Sequence, residues 1–320
     1  MRRPVALTSL ALAAALTLGA CSSGDGEESP TAEGTSTASA DATPAGDELP
    51  TVAGAFGETP EITFPGSGAP AELEVEVLEP GDGAEVGADD YVVANYAGQV
   101  WDGEVFDSSF ERGAPTGFSL NQVIPGWKEG LTGTNVGDRV LLSIPAELGY
   151  GDNPQGEVIE AGDTLVFVVD VVGTYAPDAT GQADATAVDP APELPVTVEG
   201  ALGEVPSLTV DEGAPEPTEP VVTVIANGTG DAVPAEPGST VVVQFAETLW
   251  DNSQSANTWE TSGVTGVTLG QGSVFDKLAG VPVGSRAVIQ IPGTPASDTA
   301  EASPSLAAVV DVVGAHGPTA

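Results

Sequence analysis

The stretch NQVIPGWKEGLTG, Asn121 to Gly133, decides how this chain is read. It puts two aliphatic residues, a Pro-Gly pair and a tryptophan ahead of a short polar run, in a chain with only four tryptophans and 5% aromatic residues. Pro125 suits the first position of a helix, where its missing N–H is harmless. Trp127 and Leu131 lie four apart and share one face of that helix, while Lys128 and Glu129 point away. The sequence around it signals strands. Tyr91 to Val100 and Arg139 to Ile144 are β-branched and aliphatic runs bounded by Gly, Asp or Pro. Thr164 to Val172 is almost continuously apolar, as in a strand covered on both faces. Glu72 to Pro80 alternates acidic and apolar residues, which suits a strand with one wet face. The fold class is α+β: a curved antiparallel sheet wrapped on one short helix, with Trp127 facing the sheet.

The plan occurs twice. LPTVAGAFGETPEITF (49–64) is echoed by LPVTVEGALGEVPSLTV (194–210), and DDYVVANYAGQVWDG (89–103) by STVVVQFAETLWDN (239–252). LTGTNVGDRVLLSIP (131–145) returns as LAGVPVGSRAVIQIP (278–292), and DTLVFVVDVVG (163–173) as PSLAAVVDVVG (304–314). A period of about 145 residues is too long for a solenoid unit and indicates a duplicated domain. The expected domains are residues 49–175 and 194–316, joined by 176–193, which has linker composition.

Composition narrows the function. A length of 320 residues accommodates two such domains. With 48 acidic against 7 basic residues and a formal charge of −41, nucleic-acid binding lacks the clustered Lys and Arg it needs. The one cysteine, Cys21, permits no internal disulfide or cysteine metal cluster, and the one histidine, His316, leaves no material for a Ser-His-Asp triad or a His-rich metal site. No metal or cofactor is expected. The acidic loops 79–90 (EPGDGAEVGADD) and 151–157 (GDNPQGE) lack EF-hand spacing and read as turns.

The N-terminus reads as an address. Arg2 and Arg3 precede an apolar run, Val5 to Leu18, that is short for a transmembrane span. LGAC, Leu18 to Cys21, resembles the lipobox of bacterial lipoproteins. That resemblance implies removal of residues 1–20, lipidation at Cys21 and location on the extracytoplasmic face of the cell membrane. Residues 21–48 are acidic, poor in apolar groups and read as a flexible tether.

Four segments carry a further resemblance: NYAGQVWDGEVFDSSFERG, QVIPGWKEGL, VGDRVLLSIPAELGYG and DTLVFVVDVVG. In this order and spacing they resemble the FKBP-type peptidyl-prolyl isomerases over about residues 70–174. The resemblance implies two FKBP-like domains and a cup for a substrate proline, with Trp127 as its floor and Tyr96, Phe106, Val123, Ile124 and Phe167 as walls. It further implies that the Ile124 N–H and the Tyr150 hydroxyl bind substrate carbonyls, and that Asp107 lies at the pocket edge with Arg112 paired to it. Phe118, Val158 and Ile159 would flank the pocket. Thr116 stands where relatives commonly carry an aromatic wall residue. Read from pattern alone, Val123, Ile124 and Phe167 fit a plain core, Tyr96 a buried hydroxyl, Asp107 a turn cap and Arg112 a surface charge.

In the second copy, Phe245 falls where Tyr96 does, Trp259 roughly where Phe106 does and Ala308 where Phe167 does. SVFDKLAG (273–280) loses the Pro-Gly-Trp, with Phe275 as a substitute, and LGYG has no counterpart. This copy is expected to be folded and largely inactive. The enzyme reading is a lipid-anchored prolyl isomerase acting on proline-containing unfolded polypeptides, monomeric and open to a macrolide inhibitor. The alternative is a non-catalytic chaperone or adaptor that holds such segments.

Overall fold

The computed structural model describes residues 48–295 and 302–319. The expected signal segment, Cys21 and residues 21–47 of the tether lie outside the described residues. The first half opens with a small hairpin, β1 (Thr51–Ala53) and β2 (Glu61–Thr63). Then come β3 (Glu74–Glu79), β4 (Tyr91–Val100), β5 (Val105–Ser108), α1 (Ser109–Arg112), β6 (Thr116–Ser119), α2 (Pro125–Leu131), β7 (Arg139–Ile144) and β8 (Leu165–Tyr175). Strands β3–β8 form one antiparallel sheet in the order β3-β7-β8-β4-β5, with β6 pairing the Tyr91–Ala94 end of β4.

The sheet is covered on both faces. On one side Val92, Ala94, Tyr96, Val140, Leu142, Phe167 and Val169 pack against Trp127 and Leu131 of α2. On the other, Leu141, Val166 and Val168 pack against Val52, Ile62 and Phe64 of the hairpin and its flank. This explains the continuous apolar run of β8. Beside it, Arg139 and Asp170, both essentially inaccessible, form a two-pronged ion pair at 2.6 and 2.9 Å. The hairpin completes it: Gly54 and Glu58 offer carbonyls to the guanidinium, and the Gly57 N–H donates to Asp170.

A second hairpin follows, β10 (Val196–Glu199) with β11 (Ser207–Val210), after a short β9 (Thr186–Ala187). A second sheet is built from β12 (Val221–Asn227), β13 (Thr240–Leu249), β14 (Ser255–Asn257), β15 (Thr265–Thr268), β16 (Arg286–Ile291) and β17 (Leu306–His316). Its order, β14-β13-β17-β16-β12-β9 with β15 on β13, repeats the first sheet's connectivity and adds β9 at the edge. Arg286 and Asp311 repeat the buried ion pair, again closed by hairpin carbonyls at Ala201 and Glu204.

Three expectations need adjustment. The first copy has α1 as well as α2. It is a four-residue helix capped by Ser108 and ended by Gly113 in the left-handed region, too short to leave a periodic signal. The second copy replaces α2 with a 3-10 turn, Val274–Leu278, consistent with its loss of the Pro-Gly start. The alternating valines of β3 are not buried: Val75 and Val77 remain 42% and 45% exposed, because β3 is the sheet's edge.

The join 176–193 is docked rather than free. Its β9 pairs with β12, Gly181 N–H donates to Asp311 at 2.8 Å, Gln182 N–H donates to Gly284 O and Ala185 is buried. Backbone hydrogen bonds and the Gln182 side chain, whose Oε1 accepts from the Thr229 N–H at 2.6 Å, hold it, contacts that a linker-like composition does not announce.

The two halves also meet through Val93, Val242 and Val264, with Tyr91, Val172, Tyr175 and Val313 around them. Tyr175 and His316 close β8 and β17, occupy equivalent places and touch each other, the hydroxyl 2.7 Å from His316 Nε2. A Cβ on Gly173 would lie 2.7 Å from the His316 ring, and one on Gly314 would lie 2.0 Å from the Tyr175 hydroxyl. Each copy keeps a glycine that admits the other copy's ring. The contact is therefore self-complementary, as in a two-fold dimer.

Candidate active site

Helix α2 sets the floor. Its small residues Gly126 and Gly130 face β7, where a Cβ would come 2.3 Å from Ile144 and 2.7 Å from Leu142. The helix can thus lie directly on the sheet, and Trp127, 4% exposed, is pressed into the concave face. Around it the aromatic rings meet edge to face. Trp127 lies 5.4 Å from Tyr96, 5.1 Å from Phe118 and 5.2 Å from Phe167, and Phe106 lies 5.6 Å from Phe167. Edge-to-face contact is the preferred arrangement of aromatic quadrupoles, so the five rings hold one another in place. Phe106, Phe118, Val123 and Ile124 are half-buried and form a rim, while Ile159 is buried in the same cluster.

Gly98 makes the walls possible, and the sequence reading passed over it. A Cβ there would lie 2.6 Å from Phe167 and 2.8 Å from Phe106. A lone glycine inside a strong strand pattern was the available signal, since it marks a close approach.

The polar edge is built on Tyr96. Its hydroxyl donates to Asp107 and accepts from Arg112 Nη2 at 2.8 Å. Arg112 also pairs with Asp107, donates to Thr116 Oγ1 at 3.3 Å, and lays its guanidinium carbon 5.4 Å from the Tyr96 ring centroid. Burial, followed by the hydrogen bond to Asp107, pushes the Tyr96 hydroxyl up to about 12. It stays neutral, and its proton is committed to Asp107. Tyr96 therefore presents a ring, not a hydroxyl, to the cup. Behind it the Tyr96 N–H donates to the buried Ser109 Oγ at 2.8 Å.

The structure thus gathers Tyr96, Phe106, Phe118, Val123, Ile124, Trp127, Ile159 and Phe167 into one cluster, with Asp107 and Arg112 attached through Tyr96. Phe118 supplies an aromatic ring two residues after Thr116. Tyr150 and Val158 stand apart from the packed cluster, each 37% exposed. The Ile124 carbonyl caps α2 by accepting from Trp127 N–H at 3.0 Å. Its own N–H has no partner among the described residues.

The second sheet gives a different surface. Strand register sets Phe245 opposite Val310 and Glu247 opposite Ala308, as Tyr96 is opposite Val169 and Gly98 opposite Phe167. Phe245 and Ala308 therefore stand where expected, and Phe275 is buried in the same core. Trp259 does not. Thr258 Oγ1 accepts from the Phe245 N–H as Ser109 accepts from Tyr96, and Asn257 faces Ala246 as Ser108 faces Ala97. Trp259 thus follows Thr258 as Phe110 follows Ser109, and its indole N–H donates to Ala179 O in the join at 2.9 Å. The same register puts Ala256 in the place of Asp107, so the polar edge is gone as well.

The first sheet thus carries an aromatic cup of Tyr96, Phe106, Phe118, Trp127 and Phe167, edged by Asp107 and Arg112. The profile of the FKBP-type peptidyl-prolyl cis-trans isomerase family matches residues 83–172. The chain is 44% identical over 119 residues to the FK506-binding protein of Streptomyces anulatus, an alignment covering 36% of this chain and 96% of that protein. It is 40% identical over 116 residues to the probable FK506-binding protein of Corynebacterium glutamicum, covering 36% and 98%. With the FKBP-type 22 kDa peptidyl-prolyl cis-trans isomerase of Escherichia coli it shares 45% over 100 residues, covering 31% and 48%. Among solved structures, FkpA from Escherichia coli matches 32% of this chain and 47% of that one at 42% identity, with a TM-score of 0.30. The chain belongs to the FKBP-type peptidyl-prolyl cis-trans isomerase family.

Proposed function

We propose that the first copy accelerates rotation about Xaa-Pro peptide bonds of unfolded or partly folded polypeptides. The observation that carries this is the interlocked set of five aromatic rings with the Ile124 N–H, without a partner among the described residues, at its rim. Rotation is slow because it breaks amide resonance, with a barrier of about 18–20 kcal/mol. A proline ring seated on Trp127 places its imide among the edges of Tyr96, Phe106 and Phe167. Ring edges carry partial positive charge and accommodate a carbonyl turned out of the peptide plane. Loss of water from that carbonyl favours the twisted amide, whose nitrogen no longer shares its lone pair. This is catalysis by tighter binding of the transition state. The Ile124 N–H and the exposed Tyr150 hydroxyl would fix the flanking carbonyls, with Val158 and Ile159 beside them.

The second copy is read as an FKBP-like domain without turnover, having lost Trp127, Phe167, Asp107 and the LGYG segment. The charged start, short apolar run and single Cys21 support lipid anchoring on the extracytoplasmic face, with proteins folding outside the membrane as clients. An adaptor role in holding unfolded segments is the second reading, favoured by the eroded second copy. An FK506-type macrolide is the natural probe, given the names of the relatives.

NMR exchange on a short Xaa-Pro peptide with the full chain tests the proposal. Phe106→Ala is expected to reduce kcat/KM by about tenfold or more, the scale of losing a group used only in the transition state, with the fold retained. Binding without turnover in the wild-type chain would leave the adaptor reading.

A further inference from the structure

The turn from α1 to β6, Gly113 to Pro115, lies at the boundary between the copies. On its near side stands Arg112, whose guanidinium holds Asp107 and the Tyr96 hydroxyl. On its far side two of the three turn carbonyls are taken up by the second copy. Gly113 O accepts from Thr319 N–H at 3.0 Å, and Pro115 O accepts from Thr240 Oγ1 at 3.4 Å. Thr319 Oγ1 also donates to Asn95 Oδ1 at 2.6 Å, and Asn95 is the buried neighbour of Tyr96 on β4. Close by, the Gly266 N–H donates to the Tyr91 hydroxyl at 2.9 Å. A cleft of about 440 Å³ runs between the copies here, lined by Arg112, Pro115 and Thr116 on one side and Thr240, Gly266 and Gln271 on the other.

We propose that Thr240 and Thr319 of the second copy are positioning residues for the first copy's site, acting through the 113–115 turn on Arg112. The physical reason is the nature of the Arg112 contact. Its side chain is about half exposed, and an exposed ion pair holds geometry weakly because water and side-chain entropy compete with it. The backbone that launches the side chain must then be fixed from elsewhere. Gly113, at φ +68°, is the residue least able to fix it, since glycine enters that region at little cost and leaves it as easily. The second copy supplies the missing constraint with hydrogen bonds on both sides of the turn. Arg112 in turn holds Asp107 and Tyr96, and Tyr96 is a wall of the cup. The inference rests on the active-site reading above and adds a use for the copy that has lost its own cup.

The test uses the full chain carrying Thr319→Pro, which removes the N–H and the hydroxyl together, with Thr240→Val. A chain ending at Gly317 removes the same Thr319 contacts without a new side chain. Three quantities are read: prolyl exchange, the Arg112 Nε–H resonance and thermal unfolding. The expected result is a loss of kcat/KM of about three- to tenfold, the effect of loosening a group placed by distant contacts. It should come with a broadened Arg112 signal and little change in unfolding, and Thr319→Ser with Thr240→Ser should restore both. Unchanged turnover and an unchanged Arg112 signal in both variants would overturn the proposal. Trp127→Leu, measured alongside, separates the two claims. If it abolishes exchange while the threonine variants do nothing, only the coupling fails; if it too is silent, the active-site reading fails.

Discussion

Glu247 occupies the place in the second sheet that Gly98 occupies in the first, so a carboxylate replaces the space that two aromatic rings filled. It is 4% exposed, its cross-strand neighbours are Ala308 and Ala256, and one of its oxygens has no hydrogen-bond partner. Burial pushes its carboxyl up from 4.5 to about 7. The folded state therefore disfavours the ionised form. The associated stability is fully present below the unfolded value and is lost as the pH rises through the folded one. Glu247→Gln is expected to leave stability near pH 4 almost unchanged and to raise it at pH 8 by up to about 3 kcal/mol. Denaturant unfolding at both pH values checks this, and an equal effect at both would contradict it. The same residue weakens the case for isomerisation in the second copy, since a buried carboxyl stands where the first copy's Gly98 leaves room for the Phe106 and Phe167 rings.

Helix α2 shows how a local preference is overridden by packing. By intrinsic propensity, Gly126→Ala should stabilise a helix by about 1 kcal/mol. Here the new Cβ would meet Ile144 Cγ2 at 2.3 Å, and overpacking of that kind costs about 1–3 kcal/mol. Overpacking wins, so a lower melting temperature is expected, along with reduced prolyl exchange as Trp127 is levered off the sheet. A stabilised, fully active variant would contradict the packing account. Much at this scale was legible beforehand. The ends of β4 and β7 were readable to the residue because β-branched runs stop at Gly, Asp and Pro, and α2 was readable because its proline marks the start. What escaped had no pattern to show. Helix α1 is one turn, and the join 176–193 is held largely by its backbone, with Gln182 the main side-chain tie. Most residues expected at the first copy's site come together in one cluster, with Tyr150 and Val158 apart, whereas aromatic character alone suggests Phe106 as the match for Trp259, and the register of β14 against β13, across loops of equal length, matches it to Phe110.

Across the molecule, two halves of like sheet connectivity meet through equivalently placed residues, Tyr175 at the end of β8 and His316 at the end of β17. His316 lies in that contact, its Nε2 2.7 Å from the Tyr175 hydroxyl, and burial holds its imidazole down from 6.5 to about 4. The neutral ring is thus the form the contact favours. Its contribution is complete above the unfolded value and fades as the pH falls through the folded one. Between pH 7 and pH 4 the two halves are expected to loosen, seen as a rise in the radius of gyration by small-angle scattering, and His316→Phe is expected to suppress that rise. A radius independent of pH in the wild-type chain would contradict this.

The most direct test compares Trp127→Leu with Phe245→Leu, each in the full chain, by NMR exchange on one Xaa-Pro peptide. Trp127→Leu is expected to lose nearly all prolyl exchange while its fold persists, and Phe245→Leu to keep turnover close to that of the unaltered protein. Exchange that survives Trp127→Leu and falls with Phe245→Leu would place the chemistry in the second copy and contradict the assignment of the cup.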